Sequence, residues 1–417
     1  MSNRILFVDD ETMLLKGLER SLRSMRRDWE MHFVTGGPEA LQAMERGPFD
    51  VVISDMRMPG MDGAELLDQV RSRFPQTVRM VLSGQSDKEA VLRAIRPTHQ
   101  YLSKPCDIEE LKQKVTRALS LRDLLEGSKV KQKVSQLETV PSLSVLHSKL
   151  RNELESAHPS LQEVSDIVIR DPGMCAKLLQ LINSAFLGAA KRVSCPKEAV
   201  TMIGLDNFRT LVRSGSLLSE LPASVETLLG RLWPHAYCTA RCAEAIARCE
   251  HADNNLAQDC FAAGLLHDIG WVVLAATDTN QFAEQCGKLS HQFPAVEPER
   301  LERENFDHEK VERETEVFGA THALAGAYLL GLWGLPDSIV QTVANHHAPA
   351  RTEPNGFCAL IAVRVAERWD GQRRGFCLFT EGDAIDEALL GRIGLRERLP
   401  VWLKRCDEIE NEVQCHA

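Results

Sequence analysis

Short apolar runs alternate with amphipathic stretches over the first third of the chain. The runs are RILFV (4–8), MHFVT (31–35), DVVIS (50–54), VRMVLS (78–83) and QYLS (100–103). Their length and their β-branched and aromatic content predict buried strands, and the stretches between them have helical periodicity. This alternation predicts an α/β doubly wound domain with a five-stranded parallel sheet and its site at the carboxyl ends of the strands.

Strand patterns become rare after about residue 143, and helical periodicity takes over. At Asp171 and Pro172 the apolar pattern is interrupted by residues that suit an N-cap and the first turn of a new helix. The second part of the chain is therefore predicted to be all-α. Its segment 291–319 is strongly charged, which predicts a solvated surface helix.

A segment rich in Lys, Glu and Gln lies between the two parts. Val130, Val134 and Leu137 recur in it at helical steps. The pattern predicts a solvated amphipathic linker helix, and dimerisation as a short coiled coil is one use for its apolar face.

Composition and charge narrow the class of protein. A length of 417 residues favours two or three domains, and 44% hydrophobic with 26% charged residues is ordinary for soluble protein. A net charge of −10 disfavours nucleic acid as a partner. No apolar run is evident at the roughly eighteen residues of a membrane helix, and MSNRILFVDD lacks a secretory pattern. The twelve cysteines are scattered without CxxC, as in reduced buried thiols, so we expect a cytoplasmic protein with no membrane partner.

Chemically unusual residues follow the predicted strands. Asp9 and Asp10 follow the first strand and Asp55 the third, while Ser83 ends the fourth and Lys104 follows the fifth. Carboxylates that converge at one sheet edge repel one another unless a hard cation such as Mg²⁺ lies among them. A carboxylate neutralised by Mg²⁺ and by a lysine can attack phosphorus and hold an acyl phosphate.

Residues 1–122 resemble a response-regulator receiver domain, which has a flavodoxin-like fold. The resemblance rests on Asp9-Asp10, on Asp55 in SDMRMPGMDG, and on Ser83-Gly84, Tyr101 and Lys104-Pro105. It implies that a histidine kinase phosphorylates Asp55. Asp10, Asp55 and the Arg57 carbonyl would bind Mg²⁺ directly and Asp9 through water, while Lys104 and Ser83 would contact the phosphoryl group. Tyr101 would be the aromatic switch residue that turns inward on activation, and the Lys104-Pro105 peptide would be cis.

Residues 140–350 resemble the HDOD output domain. The matching segments are VPSL, IRDPGMCAKLLQLINSA, EAVTMIGLDNFRTLV and EVFGATHALAGAYLLGLWGLPDSIVQTVANHH. This all-α domain is a relative of the HD phosphohydrolases and the HD-GYP cyclic-di-GMP phosphodiesterases, and its members are thought to act through protein partners. We therefore expect a receiver over 1–122, a helical linker over 123–139, the HDOD domain over 140–350, and a C-terminal helical extension over 351–417 that packs on it.

The same resemblance implies a metal site. The positions that match the ligands of the HD type are His235, His267, Asp268, His322, His346 and His347, with the late aspartate falling on Glu367, or on Asp370 if the register slips. Imidazoles with a bridging carboxylate suit divalent Fe, Mn or Zn and can activate water.

Two departures disfavour a cyclic-di-GMP hydrolase. A glutamate stands at the late aspartate position, and HHAPARTEPNGF lacks the GYP signature. The leading hypothesis is a two-component response regulator that signals to an unknown output protein through its HDOD domain, with a homodimer through the receiver or the linker. The alternative is a phosphorylation-regulated, metal-dependent HD phosphohydrolase.

Overall fold

The computed structural model describes residues 3–84, 97–125, 129–183, 192–215, 217, 219–292, 314–348, 354–374, 385 and 387–414. The strands of the N-terminal domain are β1 (Asn3–Val8), β2 (Trp29–Val34), β3 (Val51–Asp55), β4 (Val78–Ser83) and β5 (Gln100–Ser103). Its helices are α1 (Thr12–Ser21), α2 (Gly37–Arg46), α3 (Gly63–Arg73) and α4 (Ile108–Ser120).

The sheet is parallel throughout and has the order β2-β1-β3-β4-β5. Each strand lies within two residues of the segment predicted for it, because buried parallel strands are continuous apolar runs. The register pairs Val8 with Ser54 and Ser83 with Ser103. This register brings the residues that follow β1, β3 and β5 to one edge of the sheet.

The remainder of the described chain is helical. The helices are α5 (Lys129–Ser135), α6 (Ser144–Glu155), α7 (Leu161–Val168), α8 (Pro172–Ile182), α9 (Pro196–Ile203), α10 (Leu205–Arg213), α11 (Ala223–Leu229), α12 (Leu232–Cys249), α13 (Asn254–Leu266), α14 (Ile269–Thr277), α15 (Thr279–Gln292), α16 (His322–Leu332), α17 (Asp337–Asn345), α18 (Ala359–Arg374), α19 (Glu387–Arg392) and α20 (Leu399–Gln414). The predicted corner is confirmed, since the Asp171 carboxylate accepts a hydrogen bond from the Met174 N–H and Pro172 opens α8.

Helix α12 is the centre of the second domain and packs against α13, α18 and α20. The stretch Asn254–Thr277, which includes α13 and α14, is the one described helical stretch long and apolar enough to cross a membrane, contrary to the expectation that no such run exists. Of its most apolar window, 83% is buried inside the protein, and a core helix passes the same test of length and composition.

The linker differs from the solvated helix that its composition predicts. It consists of a short 3₁₀ segment, Leu121–Leu125, and of α5. Helix α5 packs against α14 and α16, and Val130 and Val134 are buried at 7% and 0% exposure. The apolar face of the linker is thus covered within the same chain and is not available for a coiled coil.

The predicted surface helix over 291–319 lies mostly outside the described residues. Its described end includes Glu314, which is only 4% exposed. A buried carboxylate at this position departs from the prediction, because the charge of a segment does not show which of its residues faces the core.

Candidate functional site

The carboxylate site of the N-terminal domain lies where β1, β3 and β5 end. Asp9 is 1% exposed and Asp55 7% exposed. The Lys104 ammonium donates to Asp9 Oδ2 at 2.7 Å and forms an ion pair with Asp55 Oδ1. Burial raises the pKa of the Asp55 carboxyl although Lys104 opposes the shift, and the hydrogen bonds to Asp55 and Asp9 outweigh burial to raise the pKa of Lys104.

The structure describes the other predicted residues of the site to different extents. Asp10 is exposed, and the Arg57 N–H donates to Asp55 Oδ2 at 2.9 Å. Tyr101 is 1% exposed and packs inside the domain, and the Lys104-Pro105 peptide is cis as expected. Ser83 ends β4, but its side chain lies outside the described part of the chain. The carboxylates of Asp9 and Asp55, which share the Lys104 ammonium, are oxygen donors of the kind that suits Mg²⁺.

The second site is assembled by close helix crossings at two glycines. A Cβ on Gly264 of α13 would lie 2.8 Å from the Ala240 Cα of α12, and a Cβ on Gly270 of α14 would lie 1.8 Å from the His322 carbonyl oxygen of α16. Only glycine permits backbones to approach so closely. The first crossing brings the end of α13 to α12, and the second brings the start of α14 to the start of α16.

These crossings collect six buried side chains in two groups that share one carboxylate. The groups are His235, His267 and Asp268, and Asp268, His322, His346 and His347, with one donor atom from each member within 4.8 Å of the others in its group.

The carboxylate of Asp268 faces both groups with different oxygens. Its Oδ2 lies 3.4 Å from His267 Nε2 and 3.8 Å from His235 Nε2. Its Oδ1 lies 3.2 Å from His322 Nε2 and 3.5 Å from His346 Nε2. Asp268 therefore lies between the two groups and contacts both.

Hydrogen bonds at Nδ1 fix the orientation of two of the rings. His267 Nδ1 donates to the Gly264 carbonyl and His346 Nδ1 to the Val343 carbonyl, both at 2.7 Å, and a carbonyl oxygen can only accept. In the neutral rings the Nε2 atoms therefore carry lone pairs. Each of these two Nε2 atoms lies within hydrogen-bond distance of the Nε2 of a second histidine, His235 or His322. A set of imidazole nitrogens around one carboxylate is a donor set that fits divalent metal ions.

The ionisation of the cluster follows from its burial and from the charges within it. Burial lowers the pKa of His267 to about 4, which keeps this ring neutral. Burial disfavours charge on Asp268, but the surrounding histidines outweigh it and hold the pKa of the carboxyl well below its usual range. Burial also opposes charge on His322, yet Glu314 and Asp268 raise the pKa of this ring to about 9. A metal ion at this group would displace that proton.

Two further carboxylates lie next to histidines of the cluster, and only that of Asp370 is within hydrogen-bond distance. Asp370 Oδ2 lies 2.7 Å from His235 Nδ1, whereas Glu367 Oε1 lies 3.8 Å from His347 Nδ1. Neither carboxylate belongs to the two groups of converging donor atoms. The structure thus places Asp370 behind His235 and Glu367 beside His347. These two residues were the alternatives for the late aspartate position, and each of them lies next to a different histidine.

Glu314 is a site residue that the sequence pattern did not reveal. Its Oε2 accepts hydrogen bonds from the backbone N–H of His322 at 2.9 Å and from His322 Nδ1 at 2.8 Å. The only signal in the sequence was a position eight residues before His322 in a charged segment, and that pattern is indistinguishable from a solvated surface helix.

A parallel sheet of this order with a carboxylate–lysine site, joined to a helical domain, defines a response regulator with a receiver and an output domain. Residues 5–116 match the response regulator receiver domain, and residues 140–349 match the HDOD domain. The chain belongs to the HDOD family, and it is a two-component response regulator of receiver–HDOD organisation.

The chain is similar to three other proteins over part of its length. The hydrogenase transcriptional regulatory protein HoxA of Cupriavidus necator is 32% identical over 171 residues, which are 40% of this chain and 34% of HoxA. The DNA-binding transcriptional regulator NtrC of Escherichia coli is 37% identical over 114 residues, 27% of this chain and 24% of NtrC. The structure of the MmoQ response regulator from Methylococcus capsulatus is 19% identical, with a TM-score of 0.46 over 64% of this chain and 98% of MmoQ. The matches thus span about a third or less of HoxA and NtrC.

Proposed function

We propose that a histidine kinase phosphorylates Asp55 and that the HDOD domain passes the signal to an output protein by direct contact. The observation that carries the proposal is the contact of Lys104 with both Asp9 and Asp55 at the sheet edge. In the transfer, the N–P bond of the kinase phosphohistidine breaks, and an Oδ–P bond of Asp55 forms. Lys104 is placed to neutralise the incoming phosphoryl oxygens.

The receiver residues Asp9, Asp10, Asp55 and the Arg57 carbonyl would hold Mg²⁺, which supplies charge neutralisation for phosphoryl transfer when it is bound. The test is incubation of the full chain with Mg²⁺ and a small-molecule acyl phosphate, followed by intact-mass measurement. We expect one added phosphoryl group on the wild type and none on Asp55→Asn. Equal masses for the two proteins would refute the proposed switch.

We further propose that the HDOD domain holds two divalent ions of the Fe, Mn or Zn class, bridged by Asp268. His235 and His267 would bind one ion, and His322, His346 and His347 the other. The support is the convergence of their Nε2 atoms on the two carboxylate oxygens. Bound ions of this class can lower the pKa of water, which is the chemistry that hydrolysis needs.

We propose a regulatory metal site rather than a hydrolase. The histidines and Asp268 are each at most 8% exposed, so bulk water and a large phosphodiester do not meet an open ligand face among the described residues. Metal analysis of the purified protein and an assay with a generic phosphodiester, with and without His267→Ala, test this. Bound metal without turnover is the expected result, and turnover that depends on His267 would establish the hydrolase alternative instead.

The remaining proposals concern the oligomeric state, the kind of output partner and the cellular compartment. Because Val130 and Val134 are buried within the chain, we propose that a homodimer would use the receiver and not the linker. The net charge of −10 supports a protein output rather than nucleic acid. Free thiols at the described cysteines support action in the reducing cytoplasm. Light scattering with and without acyl phosphate measures the oligomeric state.

A further inference from the structure

Helix α16 connects the two candidate sites. It begins at His322, whose Nε2 lies 3.2 Å from Asp268 Oδ1, and it ends at Leu332, where it meets the receiver. Its 11 residues span roughly 16 Å at about 1.5 Å per residue. One rigid element therefore contacts the receiver at one end and the metal site at the other.

The receiver provides hydrogen-bond donors to the carboxyl end of α16. The Gln100 side-chain amide donates to the carbonyls of Gly331 at 3.4 Å and Leu332 at 3.1 Å. The Arg117 guanidinium donates to the Leu335 carbonyl and lies 2.7 Å from Asp337. The last carbonyls of a helix have no partner within the helix, so Gln100 supplies part of the cap of α16. Arg117 holds the connection between α16 and α17.

A buried polar network holds the middle of α16 to the same receiver edge. The Tyr328 hydroxyl lies 3.0 Å from Ser135 Oγ in the linker. The Ser135 carbonyl accepts from Arg79 Nη2 at 2.7 Å and from His99 Nε2 at 3.0 Å. These four residues are at most 2% exposed. Separating them would leave polar groups without partners in a dry environment, so the receiver edge and α16 move together.

The same receiver edge leads directly to the phosphorylation site. Gln100 is the first residue of β5, and Lys104 follows the last residue of that strand and contacts Asp55. A phosphoryl group on Asp55 would offer Lys104 a new partner, and Lys104 directly follows the strand whose first residue contacts α16.

We propose that α16 makes the HDOD domain a metal-responsive input to the receiver. Divalent metal at the His322 group and a phosphoryl group on Asp55 each change the affinity of the other through the position of this helix. The inference rests on the metal site and the phosphorylation proposed above. Thermodynamic linkage requires that the two effects have the same factor.

The experiment uses the full chain with Mg²⁺ in constant excess and two equilibrium probes. Zinc affinity is measured by competition with a chromophoric chelator, and the beryllium fluoride anion serves as a noncovalent mimic of the phosphoryl group on Asp55. We expect beryllium fluoride to change the zinc Kd by about fivefold or more. We expect zinc to change the beryllium fluoride Kd by the same factor and in the same direction.

Variants test whether the coupling runs through α16 without changing either binding site. The double variant Gln100→Ala, Arg117→Ala is expected to bind each probe but to show a factor near one, and Tyr328→Phe is expected to reduce the factor in part. The control is Gln113→Ala, an exposed residue on the same helix as Arg117, which should keep the wild-type factor. Circular dichroism verifies that each variant is folded.

Each outcome has a definite meaning. If wild type binds both probes independently, the inference is wrong while the proposed function stands. If the double variant keeps the wild-type factor, coupling does not run through the cap of α16, and the inference is also wrong. If wild type binds no zinc, or no beryllium fluoride, the proposed metal site or the proposed phosphorylation site fails, and the inference fails with it.

Discussion

The sharpest test of how the metal site is assembled is Gly270→Ala. A methyl carbon at this position would lie 1.8 Å from the His322 carbonyl oxygen, whereas ordinary van der Waals contact begins at 3.4 Å. The methyl carbon and the carbonyl oxygen are both fixed by the backbone, so α14 and α16 must separate by about 1.6 Å, the difference between these two distances. Overpacking of this kind typically costs about 1–3 kcal/mol.

The separation of α14 from α16 also changes the distance between Asp268 and His322. Asp268 directly precedes α14 and His322 begins α16, so the distance of 3.2 Å between Asp268 Oδ1 and His322 Nε2 must grow. Metal–ligand distances tolerate only about 0.2 Å. We therefore expect the variant to lose the ion of the His322 group, to keep that of the His235 group, and to bind half as much zinc.

The assays are thermal unfolding without metal and zinc stoichiometry by mass spectrometry under native conditions. A domain of this size loses about 2–4 °C per kcal/mol. The matched control is Gly391→Ala in α19, where a Cβ would meet nothing within 4 Å. If Gly270→Ala unfolds at the temperature of this control and binds the full amount of zinc, the reasoning is refuted. A lower unfolding temperature with full zinc binding would refute the connection to the ligands.

Three further predictions address other parts of the structure. Glu314→Gln removes the carboxylate charge that contacts His322 Nδ1, so zinc affinity at the His322 group should fall about 10–100-fold in a chelator competition. An unchanged zinc Kd would contradict the role of Glu314 in orienting His322. Burial and the adjacent Arg79 lower the pKa of His99 well below 6.5, so His99 is neutral in the folded protein. The free energy of unfolding should therefore fall as the pH drops below about 6.5, by up to about 1.4 kcal/mol per pH unit. His99→Gln should flatten this slope in urea titrations between about pH 6.5 and 5 if the assignment is correct. Asp171→Ala removes an N-cap and leaves the Trp233 indole without its acceptor at 2.9 Å. We expect the free energy of unfolding, measured by chemical denaturation, to fall by about 2–4 kcal/mol, and to fall less for Asp171→Asn. Equal losses for the two variants would argue against the cap.

The sequence alone determined the receiver almost completely. Its inner strands are buried on both faces and are continuous apolar runs, and parallel topology brings the carboxyl ends of the strands to one edge. The convergence of Asp9, Asp55 and Lys104 follows from these two facts without knowledge of any side-chain contact. The capped corner at Asp171 was equally readable, because N-cap chemistry is local in sequence.

The tertiary structure decided the features that depend on distant residues. Asp370 contacts His235, and Glu367 lies beside His347. From the sequence, these two carboxylates differ only by three positions along one helix, so their partners could not be assigned. The hydrogen bond from Gln100 to the carbonyl of Leu332 spans 232 residues. Periodicity and capping patterns describe the face and the ends of each helix. They contain no information on which buried carboxylate or carbonyl a side chain meets, because that pairing is set by how the helices pack.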